Sequence, residues 1–155
     1  MLETMLGRTG FNVSVLGLGA GGPSRIGQTY DATEVESIRL VREAVDLGIT
    51  FFDTAEAYRT ESHIGRGIAD FPEPDKLIVS TKISPTTDRG IKTSREIEES
   101  LDASLKKLGR ERVEVYHVHG VKPDLYADVR DRVYPVLVRM RDKGKIHAIG
   151  ITEHF

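Results

Sequence analysis

Apolar residues return along the chain with two spacings. Short β-prone runs at Phe11–Leu18, Ile49–Phe52, Lys76–Lys82, Val113–His119 and Ile146–Ile151 are separated by stretches in which apolar positions recur every three or four residues. The first run follows a Gly7–Gly10 turn, so the N-terminus reads as a short β-hairpin leading into a first strand around Val15–Leu18. Thr33 and Glu36 have the spacing of a capping box, and Val35, Ile38, Val41 and Val45 then make one helical stripe that stops at Gly48. Glu61–Ala69 predicts a weaker helix, because Gly65 and Gly67 lie inside it. Thr93 and Glu96 form a second capping box, followed by Ile97, Leu101, Leu105 and Leu108 at helical spacing until Gly109. A fourth helix runs towards Lys143. Pro135 excludes an ordinary interior there, so either the straight part begins near it or the helix is kinked. Strands alternating with helices, with short links and no low-complexity segment, predict one α/β domain over residues 1–155 with a largely parallel sheet.

Composition narrows the chemistry. The 155 residues contain no cysteine, which excludes disulfides, thiolate metal sites and a cysteine nucleophile. A net charge of −2, with no dense basic block, gives no footprint for nucleic acid or an acidic membrane surface. The N-terminus shows no signal-like pattern and no apolar run approaches membrane-span length, so a cytoplasmic protein is expected. A closed (β/α)8 barrel usually takes roughly 250 residues, more than this chain holds.

In parallel α/β folds the ligand site lies at the C-terminal ends of the strands. There the sequence places Asp53 after the second strand with Tyr58 five residues on, Lys82 after the third, His119 after the fourth, and Thr152, Glu153 and His154 after the fifth. Four of them have a plain structural use: Asp53 as a helix cap, Tyr58 as a half-buried aromatic, Lys82 as a solvated charge and His119 as a hydrogen-bonded histidine. At one mouth the set also has acid–base logic. A nearby ammonium favours phenolate, so Lys82 is expected to lower the proton affinity of Tyr58, while Asp53 keeps Lys82 charged. His119 can donate to a carbonyl oxygen and orient it. Such a set suits reduction of a carbonyl, with hydride from a nicotinamide cofactor. Two other readings stand beside it. His117 and His119 share one strand face and could join Asp53 as metal ligands, and Gly19-Ala20-Gly21-Gly22 is either a backbone seat for a cofactor or a plain loop. His63, His147 and His154 read as surface or packing residues.

The run Leu47-Gly48-Ile49-Thr50-Phe51-Phe52-Asp53-Thr54-Ala55-Glu56-Ala57-Tyr58, followed by Glu61 and Ile64-Gly65, resembles the signature of the aldo-keto reductase superfamily. So do Val15-Leu16-Gly17-Leu18-Gly19, Ser80-Thr81-Lys82, Val113 to His119, and Gly144-Lys145-Ile146 through Gly150-Ile151. The resemblance implies a (β/α)8 TIM barrel, here reduced to about five βα units with an N-terminal β-hairpin. It implies NADP(H) or NAD(H) as cofactor and a small-molecule aldehyde or ketone as substrate. Tyr58 becomes the general acid, Lys82 and Asp53 its supporting pair, and His119 the substrate-orienting residue. Gly19, Ala20, Asp53, Thr152 and Glu153 fall on the cofactor side, with no metal. Where relatives commonly carry Ser-Asn, this chain has Thr152-Glu153: the hydroxyl is kept, but a carboxylate only accepts hydrogen bonds. Much of the family's cofactor clamp lies beyond the fifth strand, so an isolated fragment is expected to be weakly active or inactive. It is also expected to self-associate through its open barrel edges. A nicotinamide-nucleotide-binding regulatory module without significant turnover is the alternative.

Overall fold

A computed structural model describes residues 1–153, so the expectation for His154 lies outside the described residues. The two capping boxes start helices where the sequence places them. Thr33 and Glu36 exchange hydrogen bonds at the head of α1 (Glu34–Asp46), and Thr93 and Glu96 do the same for α3 (Ser94–Leu108), which ends on Gly109 in the left-handed conformation. The buried face of α1 is Ser37, Ile38, Val41 and Ala44. Val35, expected in the stripe, is 72% exposed. At 3.6 residues per turn it lies about 120° around the helix from Val41, outside the packed face. Between these helices, α2 (Glu61–Ile68) keeps its two glycines for proximity. A Cβ on Gly65 would run into the Leu108 backbone of α3, and one on Gly67 into the Val41 side chain of α1. Helix propensity is given up so that three helices can pack side by side.

The N-terminal hairpin consists of β1 (Glu3–Met5) and β2 (Asn12–Ser14), paired antiparallel. It docks under the N-terminal ends of the main sheet: Ser14 N–H donates to Thr50 Oγ1 at 2.8 Å, and the Thr9 carbonyl accepts from His147 Nε2 at 3.1 Å. His147 also packs on the Phe11 ring, which makes it a packing residue. The first strand of the main sheet is shorter than expected. Only Leu18–Gly19 pairs, as β3, while Val15 and Leu16 bend away and are each 59% exposed. The Ser14 hydroxyl donates to the Leu16 carbonyl at 2.6 Å, which holds that bend.

The remaining strands are β4 (Phe51–Asp53), β5 (Ile78–Ile83), β8 (Val113–Val118) and β9 (Ile146–Ile151). With β3 they form one parallel sheet in the order β3-β4-β5-β8-β9, the wall of a (β/α) barrel. Five strands joined by four helical connections are therefore described. The third main-sheet strand starts two residues later than the apolar run suggests, because Pro74–Lys76 forms a 3-10 turn. Its exit loop carries a small hairpin, β6 (Thr86–Thr87) with β7 (Gly90–Ile91). The fourth helical connection is broken. A short α4 (Tyr126–Asp128) passes into a π-helical turn at Val129–Val133, and α5 (Tyr134–Asp142) continues from it, so the break in regular α-helix falls just ahead of Pro135, the residue with no N–H to donate. One apolar core, with Phe52, Ile64, Leu101, Tyr116 and Leu137 fully buried, runs between sheet and helices. Among the described residues no helix is long and apolar enough to cross a membrane.

Candidate active site

The strand register brings the candidate residues to one end of the sheet. Asp53 closes β4 and pairs with Ser80, so Lys82, two residues on along β5, stands one layer higher on the same face. Its ammonium donates to Asp53 Oδ2 at 2.5 Å and to the Thr54 carbonyl at 2.8 Å. The Lys82 side chain is 7% exposed and that of Asp53 36%. Tyr58 closes a 3-10 turn, Glu56–Tyr58, beyond β4, and its ring centroid lies 5.0 Å from Lys82 Nζ. His119 follows β8 directly and donates its backbone N–H to the Ile83 carbonyl at 2.8 Å. Tyr58 Oη lies 3.3 Å from His119 Nε2, and the two rings meet edge to face with centroids 5.4 Å apart. Which of the two atoms donates depends on the imidazole tautomer. Asp53, Tyr58, Lys82 and His119 thus stand together.

The electrostatics differ from expectation at one point. Burial pushes the Tyr58 phenol up from its ordinary range and the Asp53 carboxylate pushes it further; Lys82 does not draw it down. The reason is geometric: the ammonium is matched at contact distance by Asp53, and it lies over the face of the Tyr58 ring. Tyr58 is therefore a neutral phenol throughout the neutral pH range. His117 is in register with Lys82 and its ring rests on Gly150, where a Cβ would overlap the imidazole. Burial first, then the Lys82 charge, holds that imidazole below its usual range, and its Nδ1 is buried with no hydrogen-bond partner. The metal reading of His117, His119 and Asp53 meets an obstacle here, since Lys82 already occupies the Asp53 carboxylate. Among the described residues no group of three or more His, Asp or Glu is placed to hold a metal ion.

The residues expected on the cofactor side are spread over two loops. Gly19 pairs with Asp53, and a Cβ built on it would meet nothing within 4 Å. Ala20 is fully buried; its N–H donates to the Asp53 carbonyl at 2.8 Å and its carbonyl accepts from Thr60 Oγ1 at 3.0 Å. Thr152 Oγ1 accepts the Gly120 N–H at 3.1 Å and keeps its own proton to donate. Glu153 is exposed.

Sequence reasoning misses Glu56 and Lys92, and it misses the Tyr58 ring as the neighbour of Gly21. A Cβ on Gly21 would overlap the Tyr58 ring, so the loop after β3 lies directly against the phenol. Glu56 and Lys92 form an ion pair behind it. The glycine run is a visible signal for close approach, but no motif or spacing singles out Glu56 or Lys92 as a pair.

The aldo/keto reductase family model matches residues 15–154. This chain belongs to the aldo/keto reductase family. Curated relatives include L-galactose dehydrogenase of Arabidopsis thaliana, 32% identical over 152 residues, which cover 95% of this chain and 47% of that protein. Among solved structures, an aldo-keto reductase from Bacillus halodurans in its holo form superposes with a TM-score of 0.80 at 24% identity, over 99% of this chain and 50% of the other. The Bombyx mori aldo-keto reductase in complex with NADP gives a TM-score of 0.75 at 24% identity, over 97% and 50% of the two chains. At such identities these structures show the shared barrel fold. The chain spans about half the length of the curated relatives it matches.

Proposed function

We propose that this aldo/keto reductase chain carries the proton-delivery centre of an NAD(P)H-dependent reductase that converts an aldehyde or ketone to an alcohol. The observation that carries the reading is the contact of Tyr58 Oη with His119 Nε2 at 3.3 Å, beside a lysine ammonium held by Asp53. The residues present suit a nicotinamide cofactor. Gly19 offers open backbone on the strand end, with buried Ala20 behind it, and Thr152 has a hydroxyl proton to give. Glu153 can accept from a carboxamide NH2. NADP(H) or NAD(H), when bound, supplies the hydride.

The chain's own residues manage the proton. His119 orients the substrate carbonyl oxygen towards Tyr58. As the carbon–oxygen double bond becomes an alkoxide, the Tyr58 O–H bond breaks and its proton goes to that oxygen, which is a stronger base than phenolate. The phenolate left behind stands within hydrogen-bonding reach of His119 Nε2, which can donate to it until a proton returns from solvent. A high proton affinity in the resting state keeps Tyr58 loaded, with Lys82 and Asp53 fixing the floor on which its ring rests.

The same proposal makes the 155-residue chain alone weakly active or inactive, because much of the cofactor grip in relatives lies outside the part matched here. It includes self-association of the isolated chain through the outer edges of β3 and β9. A cytoplasmic setting belongs to it too, since the reaction draws on the cell's reduced nucleotide pool. Tyr58→Phe in the full-length protein tests it. Carbonyl reduction should fall by about 10²–10⁴-fold, the usual share of a general acid. Near-wild-type turnover in the variant refutes the assignment. NADPH binding by the wild type without turnover on simple aldehydes favours a nucleotide-binding regulatory module instead.

A further inference from the structure

We propose that Glu56 and Lys92 form a positioning pair that fixes Tyr58 over Lys82 and His119; this rests on Tyr58 being the proton donor. Glu56 opens the turn that ends in Tyr58. One of its oxygens, Oε1, accepts the Ser84 N–H at 2.7 Å and the Lys92 ammonium at 2.9 Å. Ser84 directly follows β5, the strand that bears Lys82. A single carboxylate oxygen therefore ties the phenol's turn to the lysine's strand.

Lys92 extends the tie outward. It donates to Ser100 Oγ of α3 at 2.9 Å, and its backbone N–H donates to the Pro85 carbonyl at 2.9 Å, which closes the loop after β5. The pair is shielded, with side chains 10% and 21% exposed for Lys92 and Glu56, unlike the exposed Arg39–Glu43 and Arg95–Glu99 bridges that span one helical turn.

The turn needs an outside tether. Arg59, the residue after Tyr58, adopts a left-handed backbone at φ 60°, which a side-chain-bearing residue disfavours, so local preference does not hold this conformation. Gly21 lies against the Tyr58 ring, so close that a Cβ there would overlap it, and the charge-assisted anchor at Glu56 holds the turn that carries the ring.

The test uses NMR on the 155-residue chain with labelled tyrosine and histidine. The readouts are the ring-to-ring contact of Tyr58 with His119 and the ionisation midpoint of Tyr58. Glu56→Gln keeps an acceptor for Ser84 but removes the charge; Lys92→Met removes the ammonium, and Lys92→Arg preserves it. In Glu56→Gln and Lys92→Met the ring contact should weaken several-fold and the midpoint should fall towards that of a solvated phenol, while Lys92→Arg stays near wild type. Lys92 lies outside every helix and strand, so its variants report even if Glu56→Gln fails to fold. A lowered melting temperature with contact and midpoint unchanged overturns the positioning role and leaves the reading of Tyr58 standing. Absence of the Tyr58–His119 contact in the wild type overturns both.

Discussion

Separating the Asp53–Lys82 pair should destabilise the chain unequally from its two ends. Asp53 Oδ2 lies 2.5 Å from Lys82 Nζ, with the lysine side chain 7% and the aspartate 36% exposed. Unit charges 4 Å apart attract by about 4 kcal/mol at an effective dielectric of about 20. Removing the ammonium from water costs several kcal/mol against this, and the exposed part of Asp53 screens the remainder. A net coupling of about 1–3 kcal/mol follows. Asp53→Asn strands a buried ammonium with only the Thr54 carbonyl and a neutral amide oxygen, for a loss of about 2–3 kcal/mol, below the full cost of breaking a wholly buried pair. Lys82→Met leaves a carboxylate that water can reach, and should cost no more than about 1 kcal/mol. For a chain of this size Asp53→Asn then lowers Tm by about 4–12 °C. Urea unfolding of both single variants and the double variant, at fixed protein concentration and pH 7, measures the cycle. The reasoning is refuted if Lys82→Met is the more damaging change, or if the coupling is under about 0.5 kcal/mol, the error of additivity.

Acid sensitivity should trace partly to His117. Its folded imidazole is held below the ordinary value of about 6.5 by burial and by Lys82, with His119 adding and Asp53 opposing, so the unfolded chain takes up the proton first as pH falls. This contribution is present above pH ~6.5 and is lost as pH drops towards the folded value. His117→Gln should therefore show a smaller fall in urea midpoint between pH 7 and 5 than wild type, while His63, also held down by burial, keeps its share; equal falls would rule His117 out. Light scattering on the isolated chain should report a mass above 17.2 kDa, driven by the free edges of β3 and β9 and by exposed Val15, Leu16 and Ile151. A monodisperse monomer with a cooperative melt contradicts that.

Local chemistry made much of this architecture legible. Capping boxes at Thr33 and Thr93 mark helix starts because both partners lie within three residues, and β9 coincides with its apolar run. The strand ends bearing Asp53, Lys82 and His119 were readable because parallel strands deliver their last residues to one rim. Features decided by long-range geometry were not. Val35 has the right hydrophobicity at the wrong angle, and β3 shrinks to two residues because Ser14 bends the chain ahead of it. The sign of the field at Tyr58 depends on how closely Asp53 answers Lys82, a distance across 29 residues that no spacing rule supplies. Glu56 and Lys92 meet across 36 residues, and a polar loop gives no hint of which charges will be sheltered.

The two threonines at the rim have a mechanical consequence. Thr54 Oγ1 and Thr60 Oγ1 lie 2.8 Å apart, and the Thr60 hydroxyl donates a hydrogen bond to the Ala20 carbonyl, with all three residues fully buried. Two buried hydroxyls in series make either link costly to open, because a buried polar group left unpaired loses free energy. The segments that follow the first two strands of the sheet are thereby yoked: a guest that displaces one must carry the other with it, and adjustment at this rim proceeds in a single coordinated step.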